Sequence, residues 1–169
     1  MSMFYYDNRV RLFEKDRKIL DLIKYLETKL NSEYSAKLHA TLLLYSWYFY
    51  IEGPSELKDF SEFQLEFFKY NWIKYINMVD FQSDYFVQFY AGYTLLLDGF
   101  FINKDSYKKG KLLLQNCCKN SDDNIKILSF YFLDPNKNKK KLRTIDENSL
   151  FDSESLLDVY FKNLIKISK

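Results

Sequence analysis

Residues 61–77 read SEFQLEFFKYNWIKYIN, and this stretch decides the fold class. Ser61 and Gln64 stand three apart, as in a capping box, where each side chain satisfies a free backbone N–H of the first helical turn. Behind the cap, Phe63, Phe67, Tyr70 and Asn77 trace one helical line. Leu65, Phe68, Trp72, Tyr75 and Ile76 trace another. Nearly every face is apolar, so the pattern predicts a helix at the centre of the protein.

Working outward, the same periodicity recurs. The spacing predicts helices over about 8–30, 33–51, 83–99, 106–118, 122–133 and 154–167, which makes seven with the first stretch. Phe13, Leu20, Ile23, Leu26 and Leu30 fall near one face of the first of these. Gly53 and Pro54 read as the stop of the second, a left-handed cap followed by a residue that cannot continue a helix. Residues 42–51 and 85–97 are aromatic enough for buried strands, but their length, charged flanks and capping signals favour helix. Residues 134–151 lack periodicity and are expected to form a Lys-rich loop, with Pro135 ending the helix before it. The expectation is one all-α domain over residues 1–169, built from antiparallel helical hairpins.

Composition bounds the function. The chain has 169 residues and a formal net charge of +2, too balanced for a dedicated nucleic-acid binder. Hydrophobic residues make up 47% and aromatics 20%, which excludes intrinsic disorder. Tyr, Phe, Lys, Asn and Ile are frequent, whereas Ala occurs three times and Arg four. That contrast follows AT-rich against GC-rich codons and points to an AT-rich genome, bacterial in the first place, with a virus or a protist as the alternatives. The aromatic excess therefore need not signal a stacking site. No stretch reaches the roughly 20 apolar residues of a bilayer span, and no signal-peptide pattern opens the chain. Cys117 and Cys118 are adjacent and read as reduced, buried thiols. The expected location is the cytoplasm.

Residues 91–120 read AGYTLLLDGFFINKDSYKKGKLLLQNCCKN. They resemble a tetratricopeptide-like unit of the Sel-like kind, a hairpin of two antiparallel helices. In such units small residues let the helices approach closely, and Gly92, Gly99, Asp105 and the Cys117–Cys118 pair fall near the corresponding places. Two departures stand out: Gly99 sits one residue late, and Lys109 occupies a position usually given to Ala. The resemblance implies tetratricopeptide-like stacking and a scaffold or adaptor role.

A catalytic constellation is hard to assemble. His39 is the single histidine, so any Ser-His or Cys-His pair must use it; its setting reads as a helix surface or the edge of a core. The four glycines form no phosphate-binding loop. Glu62 and Glu66 share a helix face and read as solvated. Asp80 and Asp84 flank a helix start, where acids stabilise exposed N–H groups. The expectation is a protein without enzymatic activity, metal or cofactor.

Charge is segmented along the chain. Residues 61–103 carry a balance of −3, residues 104–143 one of +7 and residues 144–169 one of −2. A patch of one sign speeds encounter with the opposite sign. Lys137, Lys139, Lys140, Lys141 and Arg143 are the candidate contacts for an acidic partner. Glu56, Asp59, Glu62 and Glu66 are those for a basic one. In type (small, helical, motif-free, of unusual composition) the chain resembles bacterial toxin-immunity proteins. That resemblance implies a protein partner, a toxin domain whose active or docking surface is occluded. The remaining expectation, a nucleic-acid-associated regulator, would use the basic segment 104–143.

Overall fold

The computed structural model describes residues 3–51, 60–151 and 154–169. Ten α-helices and no strand occur among them, so the fold is all-α with more helices than the periodicity predicts. They are α1 Asn8–Lys15, α2 Ile19–Ser32, α3 Ala36–Ile51, α4 Glu62–Asn77, α5 Tyr85–Asp98, α6 Ser106–Asn120, α7 Asp123–Leu133, α8 Pro135–Leu142, α9 Glu147–Leu150 and α10 Leu156–Ser168. A 3₁₀ turn, Gly99–Phe101, follows α5. The Gly53–Pro54 stop lies outside the described residues.

The centre is α3, not α4. Twelve consecutive residues, Leu38 to Phe49, are buried, because α2, α4 and α5 all pack against this helix. A helix apolar on every side must be covered on every side. Its polar groups are absorbed locally: Ser46 Oγ donates to the Leu42 carbonyl, and Thr41 Oγ1 donates to the Lys37 carbonyl while accepting from Tyr5 N. By contrast, α4 buries only Phe68, Asn71, Trp72, Tyr75 and Ile76 and leaves an outer face in solvent. The capping box at Ser61 and Gln64 is formed as expected.

The predicted first helix is two. After Lys15 the chain makes a Schellman turn: Lys18 N donates to Phe13 O (2.9 Å) and Arg17 N to Glu14 O (3.1 Å). Arg17 holds the left-handed position with φ 55°, where glycine is usual. No glycine or proline marks this break.

The largest helix contact is the α5–α6 hairpin. A Cβ on Gly110 would lie 2.9 Å from the Gly92 carbonyl oxygen and 2.7 Å from Leu95 Cβ, so the two backbones cross in direct contact. From α6 the chain packs back as α7 and then α8.

The segment 134–151, expected as a loop, contains α8 and α9. Asp134 Oδ1 accepts from Lys137 N, and Pro135 opens α8 rather than merely closing α7. Proline is suited to a first helical position, since its missing N–H would be unpaired there anyway. Asn138 and Leu142, four apart, are the buried side of this short helix. Asn138 Nδ2 donates to the Phe130 and Asp134 carbonyls at 3.0 and 3.1 Å.

The buried apolar side chains form one continuous cluster, which the two ends of the described chain close together. Phe4 sits among Phe86 and Tyr90 of α5, Phe161 of α10, and Phe151. Glu14 of α1 accepts from Leu156 N (2.9 Å) at the start of α10.

Candidate interaction surfaces

The groups that could do chemistry are mostly withdrawn from solvent. His39 is 1% exposed, deeper than the helix surface or core edge expected for it. Its Nε2 lies 3.0 Å from the Tyr75 carbonyl, so Nε2 carries the proton and donates. Nδ1 is buried without a hydrogen-bond partner. The rings of Tyr34 and Tyr75 flank the imidazole edge-on. Burial lowers its pKa, against the opposing effect of the Tyr75 carbonyl. Both cysteines are buried free thiols. Burial pushes Cys117 up to about 12 and Cys118 upward too, so neither is a ready thiolate.

Glu14 comes closest to an acid–base signature. It lines a cleft of about 360 Å³ beside Arg17, Phe49 and Val159, and burial raises its pKa. Its carboxylate, however, is held by internal donors: the Tyr45 hydroxyl, Leu156 N and the Tyr6 hydroxyl. It joins α1, α3 and α10. Among the described residues, no group of three or more His, Cys, Asp or Glu is placed to hold a metal ion.

The basic candidates are brought together by α8. Lys137, Lys139, Lys140, Lys141 and Arg143 are all exposed, while Asn138 and Leu142 seat the helix on α7. Lys141 Nζ sits 4.1 Å from the Phe130 ring centroid, a cation–π contact that fixes its direction. Arg143 Nε donates to the Lys169 carbonyl. The basic face is therefore a structured ridge, and among the described residues no ion pair or cation–π contact engages its other three cations, Lys137, Lys139 and Lys140.

The acidic candidates divide. Glu56 and Asp59 lie outside the described residues. Glu62 and Glu66 are exposed on the outer face of α4. Sequence reasoning missed what accompanies them: Phe63 is 77% exposed and Tyr70 65% exposed. Phe63, Glu66 and Tyr70 are spaced i, i+3 and i+7, so they align along one side of the helix. An acidic stripe with protruding rings results. The available signal was that α4 had more apolar faces than one helix neighbour can cover. α4 packs on α3, and α8 on α7 and α10, which puts the two charged faces on different parts of the bundle.

No helix among the described residues is long and apolar enough to cross a membrane. The fold places the chain among all-α helical proteins. No family model matches it, and neither a curated protein nor a solved structure matches it.

Proposed function

We propose that this chain is a non-catalytic protein-binding module of the immunity type, which neutralises a bacterial toxin domain by covering its active or docking surface. One observation carries the reading: the outer face of α4, where Phe63 and Tyr70 stand in solvent beside Glu62 and Glu66. Interface hot spots are enriched in large aromatic residues, which desolvate a pocket while charges at the rim steer approach. The face fits a basic protein surface, such as one that binds nucleic acid through lysine and arginine. The α8 ridge supplies a second, oppositely charged contact for an acidic part of the same partner.

The test starts at the gene immediately upstream, where the reading expects a large protein with a variable toxic C-terminal region, and mixes that region with the chain. A stable stoichiometric complex on gel filtration is the expected result. Phe63→Ala or Tyr70→Ala is expected to weaken it by about 2 kcal/mol, roughly thirtyfold. Glu62→Gln with Glu66→Gln is expected to slow association and flatten its salt dependence. Failure to form a complex overturns the reading.

The α5–α6 hairpin favours a second reading, a tetratricopeptide-like scaffold. Its close glycine crossing is what small-residue positions in such a unit provide. A scaffold would capture short peptides with the α5–α6 surface, so binding there unaffected by Phe63→Ala separates the two.

A further inference from the structure

The turn between α5 and α6 sends its apolar side chains outward. Phe100 is 68% exposed, and Leu97, Phe101 and Tyr107 are exposed around it. The rings of Phe100 and Phe101 lie 4.1 Å apart between centroids, forming one protruding tip. The backbone beneath is held from within. Ile102 N and Asn103 N both donate to the Gly99 carbonyl. Asn103 Oδ1 accepts from Asp105 N, Ser106 N and Ser106 Oγ, each at 3.0 Å. Trp47 Nε1 donates to Asp98 Oδ2 at 2.9 Å. The tip is thus presented by a fixed turn: Phe101 rests edge-on against Tyr50, 5.9 Å between centroids, and Phe100 stands in solvent.

Exposed cations follow it along the chain. Lys104, Lys108 and Lys111 are exposed, with Lys108 paired to the exposed Asp105 at 3.1 Å. We propose that this turn is a peripheral membrane-docking site for an anionic lipid surface. Phe100, Phe101 and Leu97 enter the headgroup–acyl boundary, and the lysine ammonium groups meet lipid phosphates while their stems lie along the apolar zone. The turn combines exposed apolar rings with exposed lysines, the combination that an anionic bilayer surface takes up. Single-stranded nucleic acid fits less well, because bases stack on open aromatic faces. Here Phe100 and Phe101 face each other at 33°, and Leu97 offers no face at all. The inference is independent of toxin binding, which uses α4.

The test is co-sedimentation of the full chain with vesicles of phosphatidylcholine alone or mixed with phosphatidylglycerol. Binding is expected only with the anionic lipid, and it should weaken as salt rises. Replacing Lys104, Lys108 and Lys111 with Gln should lower the partition coefficient about tenfold or more and flatten the salt dependence. Phe100→Ser with Phe101→Ser should lower it by at least about tenfold without changing the circular dichroism. Phe100→Trp gives a direct readout, since Trp47 and Trp72 are both buried; its emission should shift to the blue on anionic vesicles. Absence of co-sedimentation, an unshifted Phe100→Trp spectrum, or binding indifferent to Phe100→Ser overturns the proposal. So does single-stranded RNA binding that depends on these residues while lipid binding does not.

Discussion

Gly92 and Gly110 meet backbone to backbone where α5 crosses α6, and a methyl group on Gly110 would fall 2.9 Å from the Gly92 carbonyl oxygen. The obstacle is main chain together with Leu95 Cβ, neither of which can swing aside. Gly110→Ala is therefore expected to destabilise the protein by about 1–3 kcal/mol, the usual range for overpacking. Gly92→Ala meets mainly the Leu114 side chain and should cost less. Urea denaturation of both variants measures the order.

Arg17 occupies a left-handed backbone position, and its side chain is exposed. Arg17→Gly should raise stability by up to about 1 kcal/mol, the left-handed penalty less the extra freedom glycine gains when unfolded. Arg17→Ala keeps a Cβ and should give no such gain. Thermal denaturation of the pair separates backbone strain from any contribution of the guanidinium.

The α8 ridge depends on one amide more than on its lysines. Asn138→Ala removes the second donor from the Phe130 and Asp134 carbonyls, which keep Asp134 N and Asn138 N, and should cost about 1 kcal/mol. Changing Lys137, Lys139 and Lys140 together to Ser should move stability by no more than about 0.5 kcal/mol per site. Any larger loss of partner affinity in the lysine variant then reflects binding, not folding.

His39 makes the fold acid-sensitive. Its folded pKa is depressed by burial, so the unfolded chain binds the proton more readily. The stabilising contribution is present above the unfolded value of about 6.5 and is lost as pH falls toward and through the folded one. Protonation would put a second N–H on Nδ1, where the structure offers no acceptor. His39→Gln can still donate to the Tyr75 carbonyl but does not titrate. Denaturation midpoints measured from pH 7 to pH 5 should fall for the parent chain and stay flatter for the variant.

Capping and periodicity made most of the helices legible. The Ser61–Gln64 box could be read from residue spacing alone, whereas the α5–α6 hairpin is what the resemblance of residues 91–120 to a tetratricopeptide-like unit implied. Ranking the helices by burial could not: α3 and α4 are both aromatic-rich, and only packing reveals that α3 has neighbours on three sides. Phe63 and Tyr70 were placed on the right helical line, but no local pattern says whether a line faces a neighbour or water. α8 escaped because its buried side is one asparagine and one leucine within a run of lysines, and because Pro135 was read as an ending. The Arg17 break escaped because the turn uses a residue that does not advertise it. The exposed tip at Phe100 escaped for a compositional reason: phenylalanine is so common here that two more carried no weight.

Phe4 lies in a seat built partly by Phe161, and Glu14 holds the first turn of α10. A ribosome delivers those partners far apart in time. The contacts that Phe4 and Glu14 make with α10 therefore form only once α10 has been synthesised, so this part of the core is shared between segments made early and late.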